Sequence, residues 1–521
     1  MSLGKSPTQS AMFASGTNFC EERLGEASVY RLLHRECHRL FPDELFSDLF
    51  VDTGRRSVPP RIVAVVMVLQ RFEGLSDREA VERFAFDLRW KYAAGGLDFD
   101  YPSFVHTVLV DMRARLRTSE RPDRVFDAVL DVAKQAGLVG RKRVLDSTAL
   151  YDAVATQDTV TMIRGAIRAL LSVLDEALLA PLLAVLKRDD DYRAPGKPAC
   201  DWDDQAARES LIDALVKDAF ALLAVLDGRE VAEPIKQAAT LLATVVGQDI
   251  EQGDELFRIA RRVAPDRVIS VVDPEARHGH KTSARGFDGY KGHVAIDPDS
   301  EIITATAVTA GNVGDAVPAE ALLRDVMQPS ELHPGTGQIE VYGDASYGSA
   351  DLVEKLDAAG IQSDVKVQPP VGREGKFSQD DFRIELDAHT VQCPAGQLVK
   401  LRLAKDGSGE AKFGPLCGHC HLREKCTESK TGRTVYVHPK HRTLDRARRR
   451  QRDPNWKARY RATRPKVERK LAHMMRRRHG GRRARVRGRL RVGHDFSLLA
   501  AATNLARLAM LGVSVASVMG T

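Results

Sequence analysis

The chain has 521 residues, of which 43% are hydrophobic and 29% charged, and its formal net charge is +7. This length is enough for three or four compact units. The most apolar late segment, residues 496–519, contains Asn504 and Arg507, so we expect a helix packed on a core and exclude a transmembrane span. Seven cysteines without a recognisable secretory segment argue against a disulfide-bonded secreted protein and predict a cytoplasmic one.

The N-terminal 125 residues are predicted to form a helical domain. Apolar residues recur at helical spacing from Pro60 until Gly74 ends the run. Ser76 and Glu79 have the spacing of a capping box, which predicts a second helix, and Ser103 is expected to begin another. Two helices joined by so short a turn are compatible with a helix-turn-helix that binds DNA, and equally with any small helical bundle.

An acid follows each of two short apolar runs further along the chain. The run RKRVL leads directly into Asp146, and the pattern predicts a strand that ends at this carboxylate. The segment QIEVYGDASYG predicts a second strand that ends at Asp344, with a helix from about residue 349 to 359 after it. Asp273 ends another apolar run, RVISVVD, and on spacing alone it is an equal alternative to Asp146.

A long helical segment separates the two strand-end acids. Residues 157–264 are predicted to form an all-α insertion at the rim of a sheet, because the chain leaves one strand and returns to the next. Strand-like segments resume at residues 267–272, 293–296 and 301–308. The mixture of helices and a small sheet predicts an α/β core with inserted modules.

Four of the seven cysteines are close together in the sequence. Cys393, Cys417, Cys420 and Cys426 follow a C-x23-C-x2-C-x5-C pattern within a short polar region. Thiolates brought together by a C-x2-C turn match a closed tetrahedral Zn²⁺ site that stabilises a small module without a large core. His419 and His421 flank Cys420 and are alternative ligands. A redox C-x2-C is a weaker alternative, because the strand-to-helix context of such motifs is missing.

The basic residues are concentrated in one stretch. Between Lys440 and Arg491 the chain has 23 Lys and Arg residues and three acids, a formal charge of +20, whereas the rest sums to −13. A block of one sign predicts binding to a polyanion, of which nucleic acid is the commonest. Glu468 either forms an exposed ion pair with Arg464 or holds a cation that a phosphate needs. Together with the two strand-end acids, it suits two Mg²⁺ or Mn²⁺ ions.

Taken together, these segments resemble one protein family, the bacterial insertion-sequence transposases with an RNase H-like catalytic core, a DDE triad and a cysteine-rich insertion before the last acid. The resemblance covers most of the chain and is carried by the cysteine cluster and by the segments VLDST, DPEARHGHKTSARGFDGYKGHVAID, VTAGNVGDA, YGDASYG and YRATRPKVERKLAHMM. It implies a catalytic triad of Asp146, Asp344 and Glu468. Relatives commonly have a basic residue seven positions after the Glu, but this chain has Met475, so the phosphate contact is expected to shift to the arginines that follow.

The expected fold is therefore α/β, with an RNase H-like mixed-sheet catalytic core, an N-terminal helical domain, an all-α insertion and a small zinc-binding insertion. The predicted units are residues 1–125 for the helical domain, 126–156, 265–370 and 455–521 for the core, 157–264 for the all-α insertion, and 371–454 for the zinc module and a basic linker. The expected DNA contacts are Lys291, Arg464, Arg476, Arg477, Arg478, Arg482 and Arg483. Arg277, Lys281 and Lys291 are expected to contact the DNA backbone or to balance core acids, and His293 is expected to be a sheet residue.

The predicted function is a DNA transposase that cleaves the ends of an insertion sequence and transfers them into target DNA. It is expected to use two Mg²⁺ or Mn²⁺ ions and one structural Zn²⁺, and to act as a homodimer on double-stranded DNA in the nucleoid. Two alternatives remain: a metal-dependent nuclease without joining activity, and a catalytically decayed zinc-containing DNA-binding protein.

Overall fold

A computed structural model of the chain describes residues 16–514, apart from 52, 55, 154, 155, 195, 254, 255, 283, 329–336, 373 and 374. The predicted absence of a secretory segment concerns residues 1–15, and the last part of the apolar segment, residues 515–519, also lies outside the described residues. Within the described part of the chain, every helix is too short or too polar to cross a bilayer.

The N-terminal part is helical, as predicted. Its helices are α1 Gly16–Arg23, α2 Val29–Leu40, a 3-10 helix at Asp43–Leu49, α3 Pro60–Glu73, α4 Asp77–Phe86, α5 Leu88–Ala93, α6 Thr107–Thr118 and α7 Arg124–Gln135. Gly74 ends α3 in the left-handed region, with φ of 71°, and Ser76 and Glu79 form both hydrogen bonds of the capping box. The helix start at Ser103 is wrong: its hydroxyl donates to the carbonyl of Val81.

The first strand of the central sheet, β1 Lys142–Tyr151, is ten residues long. Asp146 lies in its middle, so the predicted strand end at this acid is wrong. The chain continues as a strand because Ser147 to Tyr151 pair with the later segment 289–293, register for register. Asp146 is itself paired with Val294, and paired residues precede and follow it within β1.

The elements between β1 and the later strands of the central sheet surround an apolar core of their own. These elements are α8 Thr159–Ser172, α9 Glu176–Ala184, α10 Gln205–Leu226, α11 Glu233–Asp249, β2 Ile250–Gln252 and β3 Phe257–Ile259. The insertion is thus not all-α, because β2 and β3 form a hairpin that packs on α10 through Phe257 and Phe220. The strand expected at 267–272 is reduced to a single antiparallel bridge between Val268 and Arg277, since the amides of Val268 and Val271 bond to glutamine side chains.

The rest of the core completes a six-stranded sheet. Its remaining elements are β4 Arg277–Thr282, β5 Arg285–Ile296, β6 Ile303–Ala310, α12 Ala319–Leu322, α13 Arg324–Met327, β7 Glu340–Gly343, α14 Ala350–Ala358 and β8 Gln362–Val365. The strand order is β4-β5-β1-β7-β8, and β6 pairs with β5 beside β4. β1 is antiparallel to β5 and parallel to β7, and β7 is parallel to β8.

Alternate residues of the sheet enter two different cores, as the period of two requires. Val144 and Val294 pack with the N-terminal helices, whereas Leu145 and Ala295 pack with α12, α13 and α14 on the opposite face. The N-terminal helices therefore share a core with the sheet.

The cysteine-rich segment forms two small three-stranded sheets with a compact apolar core. Its elements are a 3-10 helix at Gln379–Asp381, β9 Arg383–Glu385, β10 Thr390–Gln392, β11 Leu398–Lys400, β12 Arg402–Leu403, β13 Gly409–Lys412, a 3-10 helix at Gly414–Cys417, α15 Arg423–Cys426 and β14 Thr434–Val437. Buried Phe382, Val391 and Phe413 lie at its centre.

Three helices end the described chain. They are α16 His441–Arg452, α17 Pro454–Met474 and, after a 3-10 helix at Arg477–His479, α18 Arg489–Met510. The basic linker expected before residue 454 is therefore a helix, α16. The helix expected in the late apolar segment is present as α18, and buried Asn504 on it bonds to both the amide and the carbonyl of Ile303 at the start of β6.

Candidate active site

Asp146 and Asp344 come together because their strands are parallel neighbours. Val144 of β1 is opposite Tyr342 of β7, and each acid lies two residues beyond this pair. The two carboxylates therefore emerge side by side on the same face of the sheet. Asp344 directly follows β7, as the sequence predicts. α17 packs against both strands and carries Glu468 to the same place.

One guanidinium contacts all three acids. Arg464 Nη2 lies 2.9 Å from Asp146 Oδ1 and 3.7 Å from Asp344 Oδ2, and Arg464 Nη1 lies 3.6 Å from Glu468 Oε1. Arg464 is 7% exposed, so it is a buried cation among three carboxylates rather than a surface charge. The ion pair with Glu468 that the sequence allows is therefore present, and it belongs to a larger cluster.

Burial and charge act against each other in this cluster. Burial raises the pKa of the Asp146 carboxyl, while the charge and hydrogen bond of Arg464 act to lower it. Burial also acts to lower the pKa of Arg464, but the charge and hydrogen bond of Asp146 prevail and raise it. Three acids with one buried monovalent cation form a site with excess negative charge, which favours the binding of a further cation.

The donor atoms of the cluster fit Mg²⁺ or Mn²⁺, which prefer carboxylate oxygens. In the described part of the chain, however, no group of three or more His, Cys, Asp or Glu side chains is already spaced to hold a metal ion. At the triad the physical reason is Arg464, whose guanidinium lies among the carboxylates. A divalent ion held by all three acids therefore requires Arg464 to move.

A cavity of about 290 Å³ opens beside the carboxylates. It is lined by Asp146, Ser147, Asp344 and Ser346, by His280 and Lys281 of β4, and by Lys291 and Asp315. Asp315 is not among the site residues predicted from the sequence, although the segment VTAGNVGDA, which carries part of the family resemblance, contains it. Its carboxylate accepts from Ser147 Oγ at 2.6 Å and from Lys291 Nζ at 2.8 Å.

Lys291 is therefore engaged within the protein. Its ammonium also donates to the carbonyl of Val313 at 2.8 Å, and its side chain is 14% exposed. Of the two roles that the sequence allows for Lys291, this geometry favours balancing a core acid over contacting DNA.

Two residues that the sequence left as alternatives lie in buried hydrogen-bond networks. Asp273 is 1% exposed and accepts from Tyr290 Oη at 2.7 Å and from the amide of Gly488 at 3.1 Å. His293 is a buried sheet residue, as expected, with Tyr347 Oη and Thr309 Oγ1 as its partners. Burial lowers the pKa of His293 to about 4.

The basic stretch divides into two parts with different surroundings. Every Lys and Arg from Lys440 to Arg452 forms an ion pair with an acid of the same chain. Most of these acids belong to α14 or to the cysteine-rich module, so α16 is held between these two parts of the protein. The charge of this first part is thus largely balanced internally.

The second part presents its charge to solvent. The five arginines expected to contact DNA here are exposed, and none of them has an ion-pair partner among the described residues; they are Arg476, Arg477, Arg478, Arg482 and Arg483. The backbone between them is fixed, since Tyr151 at the end of β1 exchanges hydrogen bonds with Arg482 and Ala484. Arg478 also lies over the ring of Phe72, 4.9 Å from its centroid.

The same segment forms a basic cleft with the N-terminal helices. A cavity of about 560 Å³ is lined by five arginines, Arg113, Arg117, Arg483, Arg485 and Arg491, and by Asp77 and Glu79 at the start of α4. The Arg71 side chain donates to the carbonyl of His479 at 3.0 Å, which ties α3 to this segment. The N-terminal helices and the basic segment therefore form one continuous surface.

The four clustered cysteines line one small cavity, but among the described residues they, like the triad, are not already spaced to hold a metal ion. All four are free thiols that line a space of about 20 Å³, which is about the size of a single water molecule. The amide of Arg433 donates to Cys417 Sγ at 3.4 Å. Burial, with the other three cysteines as smaller contributors, raises the pKa of the Cys426 thiol. The alternative ligands His419 and His421 are exposed.

Two family models match the chain. One, described as "Transposase DDE domain", matches residues 392–509, a range that contains Glu468 and the four clustered cysteines. The other, described as "Transposase domain (DUF772)", matches residues 21–115 in the N-terminal helices. No curated protein and no solved structure matches the chain. The two matches, at opposite ends of the sequence, support an insertion-sequence DDE transposase.

Proposed function

We propose that this transposase cleaves DNA at the ends of an insertion sequence and joins the freed 3′ ends to target DNA, with Asp146, Asp344 and Glu468 as its catalytic carboxylates. One observation carries the proposal: Asp146 in β1, Asp344 directly after β7 and Glu468 in α17 all contact the buried guanidinium of Arg464, and the first two line a cavity. A protein that only binds DNA has no use for a concentrated negative charge within a basic surface.

The strand order supports an RNase H-like core for this activity. Three antiparallel strands, β6, β5 and β1, continue into parallel β7 and β8, with one acid in the centre of β1 and another at the end of β7. In this proposal the core consists of residues 126–156, 265–370 and 455–521, and 157–264 and 371–454 are inserted modules. The separate apolar cores of the two modules favour this division.

Asp146, Asp344 and Glu468 would hold two Mg²⁺ or Mn²⁺ ions, which supply activation of a water and stabilisation of the leaving 3′ oxygen. The side chains of the protein then have separate tasks. Arg464, once it leaves the carboxylates, is placed to contact a DNA phosphate. Asp315 holds Ser147 next to Asp146 and keeps Lys291 in place, which fixes the strand that carries the first acid.

Cys393, Cys417, Cys420 and Cys426 hold a structural Zn²⁺ in this proposal. Their convergence on one cavity supports it, and so does the amide hydrogen bond to Cys417, because thiolate ligands are commonly stabilised in this way. The exposed arginines from Arg476 to Arg483 bind the DNA backbone. Two copies act together on double-stranded DNA in the nucleoid, one on each end of the element.

The proposal is tested by a cleavage and strand-transfer assay on a plasmid that carries the DNA flanking the gene of this protein. The isosteric changes Asp146→Asn, Asp344→Asn and Glu468→Gln should each lower the cleavage rate in Mg²⁺ by about 10⁴-fold, as for other residues that act as a catalytic unit. DNA binding should persist, because it depends mainly on the arginines.

Asp273→Asn is the matched control, since Asp273 is the alternative acid in the sequence. It should lower the melting temperature and leave the cleavage rate per folded molecule close to that of the wild type. Cleavage by the Glu468→Gln protein at the wild-type rate would rule out the triad. Cut DNA without joined product would indicate a nuclease, and binding without cleavage in Mg²⁺ or Mn²⁺ would indicate a decayed enzyme.

A further inference from the structure

The cavity beside Asp146 and Asp344 is lined by a lysine, Lys281, that is free to bind a ligand. Lys291 is bound to Asp315 and to a backbone carbonyl, and Arg464 is held by the three acids. Lys281 also lines the cavity and is exposed, and among the described residues its ammonium has no hydrogen-bond or ion-pair partner. It is therefore available to a ligand in the cavity.

The backbone turns Lys281 towards the acids through a β-bulge. In the pairing of β4 with β5, His280 is opposite Gly286 and Thr282 is opposite Arg285, so Lys281 is the extra residue. Consecutive residues of a regular strand point to opposite faces, but a bulge breaks this alternation and re-aims a side chain. Both His280 and Lys281 accordingly line the same cavity as Asp146 and Asp344.

Close contacts fix the position of this hairpin. A Cβ atom on Gly279 would lie 2.2 Å from the carbonyl oxygen of Gly311, so β4 approaches the loop after β6 as closely as a backbone can. On the outer side, His278 Nδ1 lies 2.7 Å from Asp288 Oδ1, a contact that bridges the two strands. Lys281 thus lies on a strand whose position is fixed by contacts with its neighbours.

The arginines after α17 are placed differently. Arg476, Arg477 and Arg478 do not line the cavity of the acids, and Met475, which precedes them, is buried in the main core. These arginines suit the DNA backbone at a distance from the acids. A cation that lines the cavity itself is better placed to contact a phosphate there.

We propose that Lys281 contacts the phosphate that is cleaved, by donating to one of its non-bridging oxygens above Asp146 and Asp344. This inference rests on the proposed function. A lysine ammonium is a compact positive charge that binds phosphate well. It stabilises the negative charge that develops on the phosphate oxygens in the transition state, and this effect is stronger where the site excludes water. Lys281 forms no covalent bond: the water oxygen bonds to phosphorus, the bond to the 3′ oxygen breaks, and one proton of that water ends on the 3′ hydroxyl.

The experiment compares Lys281→Ala and Lys281→Arg with Arg285→Ala. Arg285 is a matched control because it is an exposed cation on the other strand of the same hairpin and does not line the cavity. Single-turnover cleavage in Mg²⁺ at saturating DNA, DNA affinity and melting temperature are measured for each protein. The same plasmid with the flanking DNA serves as substrate.

Lys281→Ala should lower the single-turnover rate by about 100-fold, the scale for loss of one preorganised donor to a transition state. Its DNA affinity and melting temperature should match those of Arg285→Ala, whose rate stays at the wild-type value, and Lys281→Arg should recover much of the rate. A wild-type rate for Lys281→Ala, while Asp146→Asn is inactive, would overturn the role of Lys281 and leave the proposed function intact. A lower affinity with an unchanged saturated rate would also overturn it, whereas an inactive wild type would count against the proposed function itself.

Discussion

At the scale of single residues, Arg464 explains how three carboxylates are held close together without a metal ion. Its guanidinium reaches all three acids, and only its Nε atom is buried without a hydrogen-bond partner. Three like charges at this separation repel each other, so the cluster depends on a cation. A divalent ion carries twice the charge of Arg464 and competes with it for the same oxygens.

Replacing Arg464 should therefore have two opposite effects. In Arg464→Gln the free energy of unfolding without metal should fall by about 3 kcal/mol, because a buried ion pair loses one partner. The affinity for Mn²⁺ without DNA should rise about tenfold, a gain of about 1.4 kcal/mol, because no cation has to be displaced. Chemical denaturation and calorimetric titration with Mn²⁺ measure the two quantities.

Arg464→Lys is the control for this substitution, because lysine keeps the positive charge but lacks the planar guanidinium group that contacts all three acids. Its Mn²⁺ affinity should lie closer to the wild-type value than to that of Arg464→Gln. An Arg464→Gln protein that binds Mn²⁺ no more tightly than the wild type would contradict the competition between the guanidinium and the metal.

At the scale of elements, local signals in the sequence predict local structure well. The capping box at Ser76, the end of α3 at Gly74 and the strand before Asp344 all follow from residues close to one another in the chain. Asp146 was placed at a strand end because its pairing with β5 connects residues far apart in the sequence. The sequence predicts a linker in place of α16 because this helix forms tertiary ion pairs and lacks a continuous apolar stripe.

Those ion pairs connect the cysteine-rich module to the helix that precedes α17. On α16, Arg442 pairs with Asp387 and Arg452 with Asp380, both acids of the module, and Arg446 pairs with Asp357 of α14. α17, which carries the last acid, begins directly after α16. The folded module therefore supports the placement of α17.

Loss of the proposed zinc site should destabilise this part of the protein. Purified wild-type protein should contain about one Zn²⁺ per chain. Cys417→Ser should lower both the zinc content and the melting temperature, because a closed four-ligand site stabilises a module with a small core. Cys200→Ser is the control, since Cys200 lies in the insertion outside the cluster, and it should keep the wild-type zinc content. Elemental analysis that finds no zinc in folded, active wild-type protein would refute the site.

At the scale of the whole molecule, the formal charge of +20 between Lys440 and Arg491 overstates the charge available to DNA. The composition predicts a basic surface, but it cannot reveal which arginines meet acids of the same chain. The fold separates them: those of α16 are neutralised by α14 and the module, and those after α17 are exposed beside the N-terminal helices. The second group presents its charge to solvent along an extended surface.

Two fivefold variants with the same change in charge test this division. The first replaces the exposed arginines Arg476, Arg477, Arg478, Arg482 and Arg483 with glutamine, and the second replaces the paired arginines Arg442, Arg446, Arg449, Arg450 and Arg452. The first should weaken binding to any duplex and flatten the slope of log K against log salt by about 0.9 per lost phosphate contact, or about 4.5 in all. Its sequence preference should barely change, because phosphate contacts position the protein without reading bases. The second should leave the salt slope close to the wild-type value and lower the melting temperature slightly, since four of its arginines pair with acids of α14 or the module and Arg449 pairs within α16. Equal salt slopes for the two variants would contradict the division of the basic stretch, because a surface that binds through net charge alone responds equally to both.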